Sequence, residues 1–206
     1  MKASPEVMTD HWWWRPGWRE GRRFYTWHLT FADQPDVCRF IGAYRDALSG
    51  LPGLTPVPDR WLHLTMQGLG FVDEVDETDV REIVAGARSR LARLAPFEVA
   101  FETASVTPEA VESFAEPAKP VADLRLALRG AIGEVWPTVP EPQEGFRPHV
   151  SVAYSSAASA AGPIVDALSG ACVASAKALI SSAELIVLHR DRQMYEWEAF
   201  AEIPLG

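Results

Sequence analysis

Two short strings constrain the fold of this chain more than any other feature: His63-Leu64-Thr65-Met66 and His149-Val150-Ser151-Val152. Each places a hydroxyl residue two positions after a histidine, with apolar residues in the alternate slots. On a strand, that alternation projects the imidazole and hydroxyl from one face and the apolar pair from the other. The strings therefore call for sheets with one face in a core and one face on polar space. They lie 86 residues apart, one in each half of the chain, which suggests a duplicated half-site. A third copy, His28-Leu29-Thr30-Phe31, has the same parity and shows how common the pattern is by itself.

The rest of the chain alternates between strand-like and helix-like patterns. Phe24–Phe31 is rich in aromatic and β-branched residues, and Pro35–Leu48 is an amphipathic stretch closed by Ser49-Gly50. Trp61–Leu69 is strand-like. Asp76–Leu94 is helical, with Thr78 as the expected N-cap and apolar residues at helical spacing. Phe97–Val106 and Ala110–Ala115 read as a hairpin, and Val121–Val135 as a helix that ends before Pro137. A strand is expected over Phe146–Tyr154 and a short helix over Ser159–Leu168. Ala176–Leu188 and Met194–Ile203 form an expected closing hairpin. Helices mixed with antiparallel hairpins and no linker predict one α+β domain over residues 1–206, including an Arg/Trp-rich amino-terminal segment at 1–23.

Composition narrows the partners. A net charge of −9 argues against long nucleic acid, whose binding depends on phosphate neutralisation by Lys and Arg. A small nucleotide or an RNA end is still compatible. Cys38 and Cys172 have neither zinc-site spacing nor the density of a disulfide framework, so they read as reduced. The start of the chain lacks a basic-then-apolar leader, and no long apolar run occurs, so a cytoplasmic protein with no membrane partner is expected. Nothing signals oligomerisation, and a monomer is the default expectation.

Two histidines on facing lobes can approach a phosphate from opposite sides. The neutral one would take a proton from water and the charged one would protonate the departing sugar oxygen. Thr65 and Ser151 would then donate to the non-bridging oxygens as charge builds on them. His63, Thr65, His149 and Ser151 are the expected catalytic residues. The scheme needs no metal and no cofactor. His28 is expected to border the pocket, and Arg147 shares a strand face with His149. In the segment Trp12–Arg23, the residues Arg15, Arg19, Arg22 and Arg23 interleave with tryptophans. Such a segment can stack a base and neutralise phosphate, or it can simply strap the amino terminus to the lobe surface.

These paired motifs, their spacing and the order of elements over roughly Phe24–Leu205 resemble the 2H phosphoesterase superfamily. The similarity is greatest to its 2'-5' RNA ligase-like and cyclic nucleotide phosphodiesterase branch. The resemblance implies a bilobal α+β fold in which two pseudo-symmetric antiparallel sheets, flanked by helices, enclose a central cleft. It also implies metal-free hydrolysis, or reversible ligation, at 2',3'-cyclic phosphate or 2'-5' linked RNA ends, with the four motif residues as the catalytic set. The partner would be a small nucleotide or an RNA end carrying a cyclic phosphate.

The chain departs from that pattern in two places. Tyr154 stands where ligase-like members carry a basic residue, and Gln67-Gly68 replaces an apolar-aromatic continuation. The expected substrate contacts are therefore His28, Gln67, Arg147 and Tyr154. Two other readings compete. A non-catalytic RNA or nucleotide binder would not need the intact quartet. A metal-dependent hydrolase would use His63, His149 and a carboxylate, but the chain has no H-x-H or H-E-x-x-H spacing.

Overall fold

The computed structural model describes residues 4–206. Its elements are β1 (Val7–Met8), β2 (Phe24–Thr30), α1 (Pro35–Ala47), β3 (Leu54–Pro56), a 3-10 turn (Asp59–Trp61), β4 (His63–Phe71), α2 (Glu77–Leu91), β5 (Phe97–Val106), β6 (Ala110–Glu116), α3 (Ala118–Val135), β7 (His149–Ser155), β8 (Ser159–Ala160), α4 (Gly162–Gly170), β9 (Ala176–Ile180), β10 (Ser182–His189) and β11 (Glu196–Pro204). They build a bilobal α+β architecture. One lobe holds a four-stranded antiparallel sheet in the order β11-β10-β2-β4, and the other a five-stranded antiparallel sheet in the order β3-β7-β6-β5-β9. Helices α2 and α3 pack on each other and reach β11 and β4, whereas α1 and α4 lie against the second sheet.

Local sequence accounts for these elements. Pro35 pre-sets the first turn of α1, and Val37, Phe40, Ile41 and Tyr44 then fall on one buried stripe. Each such side chain contributes roughly 1.5–3 kcal/mol by leaving water. On β2, the alternate residues Tyr25, Trp27 and Leu29 join the core. Their neighbours Phe24, Thr26 and His28 therefore face the other way, into the space between the sheets. The first motif lies on β4 at the edge of its sheet and the second on β7, next to the short edge strand β3, so each sheet carries one of the two histidines.

Several boundaries differ from the sequence reading, and four of them have a local reason. Asp76, not Thr78, caps α2: its Oδ1 accepts from the Thr78 backbone N–H at 2.8 Å. The second motif strand begins at His149 because Pro148 has no N–H for the ladder. Helix α4 starts at Gly162, with Pro163 in its first turn, and Ser159–Ala160 instead pairs antiparallel with Val7–Met8. The long strand expected over Ala176–Leu188 breaks at Ser181. Ala176–Ile180 pairs with β5 in one lobe and Glu184–Leu188 with β2 in the other, so this segment joins the two sheets. Among the described residues no helix is long and apolar enough to cross a membrane.

Candidate active site

Both motif histidines are anchored in the same way. The Nδ1 of His63 lies 2.8 Å from the carbonyl of Trp61, and the Nδ1 of His149 lies 2.8 Å from the carbonyl of Arg147, each two residues back along the chain. A carbonyl only accepts, so Nδ1 must carry the hydrogen in both rings. The neutral ring then has its lone pair on Nε2, the nitrogen used for proton transfer. The two rings, with Thr65 and Ser151, line one cavity of about 260 Å³ between the sheets. That volume is just below the usual range for small-molecule sites and suits a small ligand rather than a polymer.

The two rings differ in environment. His63 is buried, and burial pushes its pKa down to about 4, opposed by the Trp61 carbonyl and aided by the charge of His149. The ring is therefore neutral at neutral pH. His28 stacks on it, and burial and the charge of His63 push the His28 pKa well down too. The Nε2 of His28 lies 3.4 Å from Thr65 Oγ1, which fixes the threonine beside His63. His149 is more open, its side chain 36% exposed, and Glu112 Oε1 stands 3.6 Å from its Nε2. Glu112 is directly across from Ser151 on the neighbouring strand β6, in position to pair with the His149 ring whenever that ring carries a proton.

The far wall comes from the amino-terminal segment. His11 stacks on Tyr154 with centroids 4.3 Å apart, and its Nε2 is 2.9 Å from the Tyr195 hydroxyl. Burial, then the charges of Arg15 and Arg190, drive the His11 pKa down to about 3. Arg15 Nη2 donates to Glu109 Oε2 at 2.5 Å, and Arg15 is the one guanidinium among the residues lining the cavity.

The expected substrate contacts divide. His28 and Tyr154 line the cavity, whereas Gln67 and Arg147 do not. Gln67 is fully buried: its Nε2 donates to Pro140 O at 2.7 Å, and its Oε1 accepts from Arg129 Nη1 at 2.7 Å. Having spent its polar atoms on α3 and the loop after it, it has none to offer a ligand. Arg147 turns outward, its guanidinium 4.1 Å from the centre of the Phe114 ring. Of the segment's arginines only Arg15 reaches the cavity. Arg19 pairs with Asp73, Arg22 with Asp73 and Glu74, and Arg23 with Asp191.

Trp18, from the segment that could stack a base, also lines the cavity, as do His11, Phe24, Thr26, Glu112, Glu141, Leu188 and Tyr195, which the sequence reading missed. Phe24 and Thr26 were within reach, because they share parity with His28 on one strand. Glu112 was not, since its place depends on the register between β6 and β7. Among the described residues, no three His, Cys, Asp or Glu side chains are grouped as metal ligands.

Solved structures of other proteins share this fold. The solved structure of TT0787 from Thermus thermophilus superposes with a TM-score of 0.65 at 22% identity, covering 89% of this chain and 97% of that one. LigT from Escherichia coli, in its apo form, superposes with a TM-score of 0.64 at 14% identity, covering 90% of this chain and 98% of its own. At these identities the likeness establishes the fold. No curated protein matches the chain by sequence. The family evidence comes from the sequence itself, which matches the 2'-5' RNA ligase superfamily over residues 33–192, a stretch that includes both histidine motifs. This chain therefore belongs to the 2'-5' RNA ligase superfamily of 2H phosphoesterases.

Proposed function

We propose that the protein is a metal-independent phosphodiesterase acting on 2',3'-cyclic phosphates of nucleotides or RNA ends. The observation that carries this reading is the matched anchoring of His63 and His149, which turns two Nε2 atoms of different environment toward one small cavity. His63, held neutral by burial, is the base: its Nε2 takes a proton from water as the water oxygen attacks phosphorus. His149, beside Glu112, is the acid. It gives its proton to the ribose oxygen as the bond from that oxygen to phosphorus breaks, leaving a phosphomonoester and a free hydroxyl. Thr65 and Ser151 donate to the non-bridging oxygens, whose charge grows in the transition state. With a 5'-hydroxyl in place of water, the same two transfers would join RNA ends through a 2'-5' linkage.

Related structures support a nucleotide as the ligand, since LigT has been solved in complex with 3'-AMP, with ATP and with NADP+. The test is turnover of 2',3'-cyclic nucleotides with and without EDTA. Equal rates in both are expected. Activity lost to chelation and restored by zinc or manganese would overturn the acid–base scheme, and no turnover of any cyclic phosphate would overturn the function.

A further inference from the structure

The cleft face of β2 is a ladder. His28, Thr26 and Phe24 follow one another at every second residue, all lining the cavity. At ~3.3 Å per residue, Phe24 lies about 13 Å from His28. That span takes a ligand from the histidines across a sugar to its base. The Phe24 end has a different chemistry from the rest. Trp18 approaches Phe24 with ring centroids 5.6 Å apart, and Leu188 pairs with Phe24 across the sheet. Glu141 completes this end.

Glu141 is held there by several devices. Its backbone has φ of 60°, the left-handed region that few non-glycine residues occupy and that clusters at binding sites. Arg129 Nη1 donates to its carbonyl at 2.8 Å, and Arg125 donates to the carbonyls of Pro142 and Gln143. The Glu141 carboxylate accepts from the Gly68 N–H at 3.2 Å and lies 3.8 Å from Arg125 Nη2. Glycine at position 68 leaves room for this approach, since a Cβ there would stand 2.6 Å from Glu141 Oε1 and 2.9 Å from the Phe24 ring and would displace one or both side chains. A carboxylate has about four lone-pair positions, so acceptor capacity remains for a ligand.

We propose that this end of the cleft is a nucleobase subsite selecting guanine, with the base against Trp18 and Phe24 and its N1–H and N2–H donors on the Glu141 carboxylate. The inference rests on the nucleotide reading of the cleft. Guanine presents two adjacent N–H donors on its Watson–Crick edge, which match two carboxylate oxygens. Adenine sets a ring acceptor beside its amino group, and uracil flanks its N–H with carbonyls, so each brings lone pairs against the negative charge. Trp18 and Phe24 precede the stretch matched to the family, whereas Glu141 lies within it, so the subsite joins the amino-terminal segment to the loop after α3.

The experiment compares kcat/KM for guanosine, adenosine and uridine 2',3'-cyclic phosphates and for base-free ethylene cyclic phosphate. Calorimetric Kd values for 3'-GMP and 3'-AMP are measured alongside. The wild type is expected to favour guanosine roughly 10- to 100-fold, the range of hydrogen bonds to a charged group. Glu141→Gln, which sets an amide donor against one N–H, should remove most of that preference in both assays. Trp18→Leu should weaken 3'-GMP more than inorganic phosphate. Equal values for the three nucleotides, or a guanine preference that survives Glu141→Gln, would overturn the subsite. Guanine-selective binding without turnover of any cyclic phosphate would uphold the subsite and overturn the phosphodiesterase. Turnover without base preference would do the reverse.

Discussion

The imidazole of His28 lies flat on that of His63, with ring centroids 4.3 Å apart and planes 5° from parallel. Stacked and buried together, the two rings cannot both take up protons without placing like charges face to face in a poor dielectric. His28 also closes the inner side of His63, while Trp197 meets it edge-on at 5.2 Å. The pair is thus a device that keeps one ring neutral and in a fixed orientation, which a general base requires.

If His63 is the base, the acid limb of the kcat/KM profile reports its protonation in the free enzyme. With its pKa pushed down to about 4, loss of rate through protonation of this ring should set in only as pH approaches 4. An acid limb well above that value would instead argue against His63 as the base.

Replacing the two histidines should separate chemistry from folding. His149 is half-buried, so His149→Ala should lower turnover by roughly 10²- to 10⁴-fold with little change in Tm. His63→Gln should lose at least as much activity and also lower Tm, because the ring is packed between His28 and Trp197. The double variant should be scarcely slower than the worse single one, since both proton transfers belong to one step. Measurable independence of the two effects would argue against a shared step.

Stability should depend on pH for the same physical reason. His63 titrates near 4 in the folded protein and near 6.5 when unfolded, so between those values the unfolded chain binds more protons. Its contribution is fully present above pH 6.5 and is lost as pH falls toward 4, by about 3 kcal/mol. His11, pushed to about 3, deepens the loss in the same direction. Chemical denaturation at pH 7, 5.5 and 4 measures it. The slope should be shallower in His63→Gln, and an unchanged slope would contradict the buried neutral ring.

How much of this was legible beforehand depends on which contacts are local. Strand alternation was enough to pair His63 with Thr65 and His149 with Ser151, and to put His28 on the same face. The helices followed from apolar spacing and from the positions of proline. Gln67 shows the limit. It has the parity of Thr65 along β4, but the pairing with β2 shifts register between Trp27 and His28, so Gln67 pairs with Trp27 and turns from the cleft into the interior. Arg147 misled for a related reason, since Pro148 ends the ladder and releases the arginine toward Phe114. Glu112, Glu141 and Tyr195 come from distant segments that meet only once the two sheets are in place, and no local pattern marks them.

The amino-terminal segment has one part on the cavity wall and another held against the lobe surface, and its variants should divide accordingly. Trp12 is the buried anchor, at 6% exposure, whereas Trp13 and Trp14 are 50% and 49% exposed. Trp12, rather than either of its exposed neighbours, therefore ties the strap. Trp12→Ala should cost about 3–5 kcal/mol, with Trp13→Ala and Trp14→Ala costing much less. Arg22 holds the strap at its other end, capped over the Phe71 ring at 3.6 Å and paired with Asp73 and Glu74. Arg22→Gln should lower Tm and leave kinetics alone. Arg15, the cation on the cavity wall, should behave in the opposite way: Arg15→Gln should raise KM for a cyclic nucleotide and flatten its dependence on salt, because a phosphate contact is screened by ions and packing is not. Thermal melts and KM at two salt concentrations on both sets decide it. An unchanged KM in Arg15→Gln would leave Arg15 as a structural partner of Glu109 alone.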